Sequence, residues 1–364
     1  MLPRLSLYRW AVRPALFALD AERAHNLTLT ALGRRPVVRV LAGTAPRRDP
    51  RLRQRLFDMD VLHPVGLAAG LDKHGTVPAA WAALGFAFVE IGTVTPRPQP
   101  GNPAPRLFRL PADRAVVNRF GFNSIGSEAV ARNLAAAGRV GIPLGINLGR
   151  NQDTPNEAAA ADYVAALNDL LPFADYIVVN VSSPNTTGLR ALQESRALRA
   201  LVEQVTARAA HNASGTPPPV LVKVSPDAST SDLLASVDAA LEGGAAGVIA
   251  TNTTVAREGL ASPPTLTGES GGLSGAPLKT RATETCSILY AHLRHRVPII
   301  GVGGIFTAAD AYERIRAGAS LVQVYTALIY EGPGLVGRIV RGLSERLAQD
   351  GFTNVSEAIG ADVR

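Results

Sequence analysis

The stretch YIVVNVSSPNTTGL, Tyr176 to Leu189, begins as an apolar run rich in β-branched residues and ends in a cluster of hydroxyl and amide side chains. The apolar run predicts a buried strand, and the polar tip predicts a loop at its carboxyl end. A segment that predicts a helix follows. Strand, polar tip and helix therefore form one unit of the fold.

The same unit recurs along the chain from residue 61 onward. Strands that alternate with helices predict a parallel sheet, and eight repeats predict a closed (β/α)8 TIM barrel. The eight runs are PVGLAAG from Pro64, AFVEIGTV from Ala87, IPLGINLG from Ile142, YIVVNVSS from Tyr176, VLVKVSP from Val220, GVIATNTT from Gly247, PIIGVGG from Pro298 and LVQVYTA from Leu321.

Two connections are longer than the fold requires. The first, from residue 96 to about 140, contains PRLFRL and AVVNRFGFN, which predict a hairpin over the barrel mouth, and the second runs from 255 to 297. Long loops on this face commonly build active sites.

The N-terminal segment carries the basic character of the chain. Residues 1–60 contain twelve arginines and five acidic residues, which account for the whole formal net charge of +7, so the charge does not predict a nucleic-acid surface. Asp20 as an N-cap and Gly33 as a stop signal predict two short helices. We expect residues 1–43 to form this helical extension and residues 44–364 the barrel domain. From these residues alone, the extension fits either a hairpin packed on its own barrel or an amphipathic element on a membrane.

The strand ends converge in this fold, because the active site of a barrel lies at the carboxyl face. They supply amides, hydroxyls and two lysines, but no histidine, thiol or carboxylate pair, which argues against a metal site and against glycosidase chemistry. We expect the pleat to direct Glu90 away from the neighbours of Thr93. The strand-end residues are Lys73, Thr93, Asn147, Asn180 with Ser183, Lys223, Thr251 with Asn252, Gly303 with Gly304, and Tyr325 with Thr326.

Such a set of neutral donors and acceptors suits a heterocycle that is held in place, and indicates that a cofactor performs the chemistry. After strand 7, Gly303 and Gly304 precede a helix predicted to open at Thr307, and YTALIYEGPG follows strand 8. Barrels often build a phosphate site from these two loops, so the sequence predicts a phosphorylated cofactor such as FMN.

The ordered motifs resemble the dihydroorotate dehydrogenase family, in its membrane-associated, quinone-reducing class 2. The resemblance covers nearly the whole chain and implies oxidation of (S)-dihydroorotate to orotate in pyrimidine synthesis, with one FMN per chain taking the hydride and a quinone reoxidising the flavin. The motifs are PVGLAAGLDK, EIGTVTPRPQPGNPAPRLFRL, NRFGFNSIG, GINLGRNQDTP, VNVSSPNTTGLR, IATNTT, GGLSGAPL, IIGVGGI and GASLVQVYTAL.

The resemblance also implies residue roles. Ser183 is the expected general base, and His25 and Arg109 match positions on the quinone path. The expected flavin contacts are Ala69, Gly70, Lys73, Thr93, Asn147, Asn180, Lys223, Thr251, Gly275, Gly304, Tyr325 and Thr326. The expected substrate contacts are Lys73, Asn118, Arg119, Phe120, Gly121, Phe122, Asn123, Asn180, Asn185, Asn252 and Thr253.

Two features favour class 2 over the soluble class 1, which uses a cysteine base and has no N-terminal extension. The only cysteine, Cys286, lies far from the strand 4 loop, and the extension is present. The resemblance implies peripheral attachment of that extension to lipid. We expect a monomer at the cytoplasmic face of the cell membrane, with the mitochondrial inner membrane as the alternative. The proton leaves Ser183 through Thr187 or through a buried water, and the sequence leaves both open.

Two rival functions fit the fold. An RNA-modifying flavoprotein such as a dihydrouridine synthase needs a cysteine acid and a basic barrel mouth, and the sequence shows neither. A flavin-binding protein or membrane scaffold without turnover is the second rival. The filled motif positions argue against it.

Overall fold

The computed structural model describes residues 7–213 and 215–363. Three short helices begin the described chain: a π-helical turn at Tyr8–Val12 continues into α1, Arg13–Phe17, followed by α2, Ala21–Leu32, and α3, Arg35–Ala42. Asp20 caps α2 as predicted, because its Oδ1 accepts a hydrogen bond from Arg23 N at 2.9 Å. The third helix was not predicted, and residues 1–6 of the expected 1–43 extension lie outside the described residues.

Eight parallel strands close into a barrel, which confirms the predicted (β/α)8 fold. Each neighbour pair is parallel, and the ring closes where the last strand, Leu321–Val324, pairs with the first, Val65–Leu67. In chain order the barrel strands are β3 (Val65–Leu67), β4 (Val89–Val94), β7 (Leu144–Leu148), β8 (Tyr176–Asn180), β9 (Val220–Val224), β10 (Gly247–Ala250), β12 (Ile299–Val302) and β13 (Leu321–Val324).

Helices follow the strands and cover the outside of the barrel. The outward side chains of the strands are mostly valine, isoleucine and leucine, and they form one continuous core with the inward faces of the helices. The helices are α4 (Pro78–Ala83), α5 (Ser127–Ala137), α6 (Ala159–Leu170), α7 (Ser195–Asn212), α8 (Thr230–Glu242), α9 (Pro264–Thr267), α10 (Lys279–Leu293), α11 (Ala308–Arg316), α12 (Thr326–Glu331) and α13 (Leu335–Asp350).

The barrel interior changes character along its axis. Near the amino ends of the strands it is filled by large apolar side chains, including Phe88 and Tyr176. Glycines make room for them, since a Cβ on Gly66 would lie 2.4 Å from the Phe88 ring and one on Gly145 would lie 2.0 Å from the Tyr176 ring. Toward the carboxyl ends the interior becomes polar, so the site is built on a packed floor.

An antiparallel hairpin closes the amino end of the barrel. It consists of β1, Gln54–Leu56, and β2, Met59–Val61. Met59 and Val61 join the interior apolar cluster, and Gln54 Nε2 donates to Ser320 O at 2.9 Å.

A three-stranded antiparallel sheet covers the opposite end. The predicted hairpin is present as β5, Leu107–Leu110, and β6, Ala115–Asn118. A third strand, β11, Gly272–Gly275, comes from the second long connection and pairs with β6. The sequence did not predict that the two long connections would pair with each other.

Candidate functional site

A cavity lies at the carboxyl ends of the barrel strands and encloses ≈ 1020 Å³ of empty space, open solvent included. Most of the predicted site residues line it. The expected flavin contacts among them are Ala69, Gly70, Lys73, Thr93, Asn180, Lys223, Thr251, Gly275, Gly304, Tyr325 and Thr326. The expected base and substrate contacts among them are Ser183, Asn118, Phe120, Gly121, Phe122, Asn185, Asn252 and Thr253.

Three expected contacts lie outside this lining. Asn147 is fully buried one layer below the cavity, and Asn123 accepts a hydrogen bond from Lys73 Nζ. Arg119 turns to the covering sheet, where its guanidinium pairs with Glu269 and lies 4.6 Å from the Phe108 ring centre. Its side chain therefore braces the cover of the cavity.

A buried hydrogen-bond network forms the floor of the cavity. Thr93 Oγ1 donates to Asn147 Oδ1 at 2.5 Å, and Asn180 Nδ2 donates to Thr93 Oγ1 at 2.9 Å and to Asn147 Oδ1 at 3.1 Å. Asn252 Nδ2 in turn donates to Asn180 Oδ1 at 3.2 Å and to Ser182 Oγ at 3.0 Å. Because each amide is held by a neighbour, the amides present fixed donors and acceptors to a ligand.

Glu90 belongs to this network, so the expectation that its side chain points away was wrong. Its Oε1 accepts from Asn147 Nδ2 at 2.8 Å, and Asn147 in turn contacts Thr93. The ladder between β4 and β7 shifts register between Gly92 and Val94. This irregularity breaks the strict alternation of the pleat, so residues 90 and 93 both face inward.

Gln323 was missed as well. It lies in the middle of strand β13 and lines the cavity, with Nε2 donating to Glu90 Oε2 at 2.7 Å. Its Oε1 is buried without a hydrogen-bond partner. The sequence contains one signal that could have identified Glu90 and Gln323 as site residues. Each is a polar side chain inside an otherwise apolar, fully buried strand.

The two strand-end lysines differ in their surroundings. Lys223 lines the cavity and lies with its Nζ 3.8 Å from Glu90 Oε1. Lys73 has its ammonium 3.3 Å from the Phe120 ring centre, and burial together with the charge of Arg106 lowers its pKa well below the usual range. A carboxylate ligand beside Lys73 would offset both unfavourable effects on its ammonium form.

Amides also meet on the covered side of the cavity. Asn185 Nδ2 donates to Asn118 Oδ1 at 3.0 Å, which links the loop after β8 to the end of β6. The Oδ1 of Asn185 is buried and has no hydrogen-bond partner. An amide oxygen without a partner can accept a hydrogen bond from a ring N–H group of a ligand.

Ser183 is only 7% exposed and lines the cavity. Among the described residues, its Oγ accepts one hydrogen bond, from Asn185 N at 3.3 Å. The following loop is fixed by Arg150, whose Nη2 donates to Thr187 O at 2.7 Å. Cys286 lies elsewhere in α10, and burial raises its thiol pKa to about 12, so it offers no base.

The end of the cavity after strands β12 and β13 is shaped by glycines. A Cβ on Gly275 would lie 2.4 Å from Arg114 O, and one on Gly304 would lie 2.4 Å from Lys279 Cα. The helix predicted at Thr307 is present as α11, with Thr307 as its N-cap. A capping box closes its first turn, because Thr307 Oγ1 accepts from Asp310 N at 3.1 Å and Asp310 Oδ2 accepts from Thr307 N at 2.9 Å.

His25 lines a second cavity, ≈ 930 Å³ with open solvent included, between α2 and the loop after β3. Lys73 and Phe120 line both cavities, so the two spaces adjoin at these side chains. Burial, and then the charge of Lys73, lowers the pKa of His25 to about 4, so its imidazole is neutral near pH 7.

Arg109 does not line that second cavity. Its guanidinium donates to Leu16 O at 2.8 Å and to Leu19 O, and lies 4.6 Å from the Phe17 ring centre. It therefore ties the turn between α1 and α2 to strand β5. The two residues predicted for the quinone path thus have different surroundings, since His25 lines the second cavity and Arg109 contacts the turn of the extension.

Within residues 7–213 and 215–363, no group of three histidine, cysteine, aspartate or glutamate side chains is placed to hold a metal ion. In the same part of the chain, no helix is both long enough and apolar enough to span a bilayer.

Comparison with known proteins agrees with the resemblance. The family model for dihydroorotate dehydrogenase matches residues 51–347. Two relatives called dihydroorotate dehydrogenase (quinone) are those of Anaeromyxobacter dehalogenans, 53% identical over 97% of both chains, and of Deinococcus deserti, 51% identical over 98% of this chain and 100% of the other. The crystal structure of DHODH from Eimeria tenella in complex with ferulenol superimposes with a TM-score of 0.85 and 40% identity, and covers 94% of this chain and 95% of the other. Barrel, cavity and full-length similarity agree, and this chain belongs to the dihydroorotate dehydrogenase family.

Proposed function

We propose that this chain oxidises dihydroorotate to orotate in pyrimidine biosynthesis and passes the electrons to a quinone, with FMN as the intermediate carrier. The observation that carries the proposal is the single cavity at the barrel mouth. It gathers Ser183, both strand-end lysines and the amides, and it lies in a chain whose relatives over their full length are quinone-linked enzymes.

The residues present fit a flavin. Gln323 Oε1 is buried without a partner, and Lys223, which also lines the cavity, supplies an ammonium. Gly275 and Gly304 line the cavity with φ of 107° and 71°, and backbone in this region can aim N–H groups at a phosphate. Bound there, FMN would supply a hydride acceptor for C6 of dihydroorotate and an electron donor for the quinone.

The protein's own side chains then have defined tasks. Ser183 Oγ accepts the proton from C5 of the substrate, while Asn118, Asn185 and Asn252 hold the polar edge of the pyrimidine. Lys73 pairs with the substrate carboxylate, which explains why a lysine is kept in a place that disfavours its charge.

We assign residues 1–43 to a separate element that docks on lipid and guides the quinone. Several large apolar side chains of this segment are exposed, led by Trp10 at 82% and Val40 at 64%, and Arg34, Arg35 and Arg39 accompany them. Apolar and cationic groups together fit a monolayer of anionic lipid. Arg109 donates a hydrogen bond to the turn between α1 and α2 in this element. His25 lines the second cavity, which adjoins the cavity at the barrel mouth.

We further propose peripheral attachment at the cytoplasmic face of the cell membrane; the quinone named for the relatives supports attachment to a membrane. The mitochondrial inner membrane stays the alternative, and we propose that the protein acts as a monomer.

The test is a colour change in the purified protein. We expect a yellow chain whose flavin absorbance bleaches on anaerobic addition of dihydroorotate and returns on addition of a short-chain ubiquinone or menaquinone. Orotate without dihydroorotate is the control and should leave the colour unchanged, and NAD in place of the quinone should not restore it. A chain that takes up no FMN on reconstitution, or stays yellow with dihydroorotate, would contradict the proposal.

A further inference from the structure

The polar layer below the cavity holds one carboxylate, that of Glu90. This side chain is 0% exposed and does not line the cavity. Both of its oxygens act as acceptors, Oε1 from Asn147 Nδ2 at 2.8 Å and Oε2 from Gln323 Nε2 at 2.7 Å. Two accepted N–H bonds are the pattern of an ionised carboxylate.

A buried carboxylate requires a counter-charge, and Lys223 provides it. The side chain of Lys223 is 7% exposed, and its Nζ lies 3.8 Å from Glu90 Oε1. Among the described residues, it is the one cation within ion-pair distance of Glu90. Lys223 and Gln323, which adjoin Glu90, both line the cavity. The negative charge of Glu90 therefore acts on a ligand in the cavity at short range.

We propose that Glu90 is a positioning residue that sets the electrostatic field of the Lys223 ammonium at the bound flavin. A lone ammonium beside the flavin would strongly favour the reduced, anionic form. The carboxylate behind Lys223 offsets part of that field and fixes the ammonium in place. Glu90 thereby lowers the reduction potential of the flavin and leaves it able to give its electrons to a quinone.

The network also gives Glu90 an orienting role. Because Asn147 donates its Nδ2 to Glu90, its Oδ1 is turned toward Thr93 and Asn180, both of which line the cavity. A neutral residue at position 90 would keep some of these hydrogen bonds but would remove the charge. The two roles are therefore separable by experiment.

This inference rests on the proposed function. The following experiment distinguishes a failure of the inference from a failure of the proposed function. The FMN-loaded protein is reduced stepwise without oxygen against reference dyes at pH 7, and the flavin potential is read from absorbance. We expect Glu90→Gln to shift the equilibrium toward reduced flavin at least tenfold, about 30 mV for a two-electron couple.

A matched variant serves as the control. Tyr176→Phe removes a hydroxyl 3.4 Å from Gln323 Nε2 in the same interior without changing any charge, and it should leave the potential unchanged. Thermal unfolding of each variant reports any purely structural effect.

The outcomes are distinct. A wild-type chain that binds no flavin would refute the proposed function itself, whereas flavin binding with equal potentials in wild type and Glu90→Gln would overturn the inference alone. If Glu90→Gln does not hold flavin, Glu90→Asp serves instead, because it withdraws the charge from Lys223 by one methylene group. We then expect a shift of about threefold in the same direction, as the Coulomb interaction weakens with distance, and no shift would again overturn the inference.

Discussion

The barrel mouth and the N-terminal segment are held by different forces. At the mouth, the floor residues are buried and their amides hydrogen bond to one another. In the N-terminal segment, neither α1 nor α3 contains a buried residue. The segment buries only a few side chains, Ala21, Ala24 and Leu32 of α2, and polar contacts such as Tyr8 OH to Ile329 O at 2.6 Å and the Arg106–Glu22 ion pair at 2.7 Å also hold it.

This difference predicts that the proposed flavin chemistry and the proposed docking on lipid can be changed separately. The buried network fixes the amides and hydroxyls of the cavity floor, because packed side chains allow little movement. The exposed helices leave apolar surface free to meet a bilayer, because little of that surface is used for packing. Changes in one region should therefore spare the other.

The largest effect should come from the mouth. Ser183→Ala removes the proposed base, and we expect the rate of flavin reduction by dihydroorotate to fall by about a hundredfold to ten-thousandfold, the usual loss for a general base. Anaerobic rapid mixing measures this rate from the flavin absorbance. Binding of orotate should be nearly unchanged, since the amides that hold the ring are untouched.

Trp10→Ala is the matched control for that experiment. It lies in the other region, so its flavin reduction rate should equal that of the wild type. An unchanged rate in Ser183→Ala would show that the proton goes elsewhere.

The second largest effect concerns how the stability of the barrel depends on pH. Burial lowers the pKa of His63 from 6.5 to about 4, and its ring donates to Gly85 O at 2.9 Å. The unfolded chain takes up a proton that the folded chain resists, so His63 makes the fold less stable as the pH falls from about 6.5 to 4. At about 1.4 kcal/mol per pKa unit, the loss is about 3 kcal/mol.

Urea unfolding at pH 7 and pH 4.5 measures this loss. His63→Gln should lose less stability than the wild type over this range, because glutamine does not titrate. His25→Gln tests the comparison itself: the pKa of His25 is also lowered to about 4, but its helix is attached from outside. Its effect on unfolding of the barrel should be much smaller, and an equal effect would show that the two regions unfold together.

The smallest effect should come from the exposed helices. Trp10→Ala removes the most exposed of the large apolar side chains in the described chain, and we expect binding to anionic phospholipid vesicles to weaken by about tenfold, or about 1.4 kcal/mol. Sedimentation with vesicles measures this. Leu62→Ala, at an exposed leucine next to the hairpin at the amino end of the barrel, is the control and should bind as the wild type. Equal binding of all three proteins would contradict docking through residues 1–43.

Much of the fold follows from local patterns. Each β-branched run forms a strand, because such runs are stable only when both faces are buried, and the strand ends then have to meet at one face. The local patterns alone therefore predict that Lys73, Asn180 and Lys223 share one cavity, and they do. The N-cap at Asp20 is equally local, since it needs only an oxygen within reach of an N–H two or three residues on.

What the sequence could not supply were pairings between distant segments. Strand β11 joins β6 across more than 150 residues, and no local signal announces such a partner. The inward orientation of the Glu90 side chain depends on a register shift between β4 and β7. A prediction that assumes strict alternation of side chains along a strand cannot include such a shift.

The sequence by itself determined the repeating units, the order of the strands along the chain and the chemical types at their ends. These follow from residue size, branching and polarity, which act over a few neighbours. Only the tertiary structure decided that Glu90, Lys223 and Gln323 share one buried layer, and that Arg119 turns away from the cavity while Asn185 faces it. Those outcomes depend on barrel closure and strand register, which are set by the packing of the whole chain.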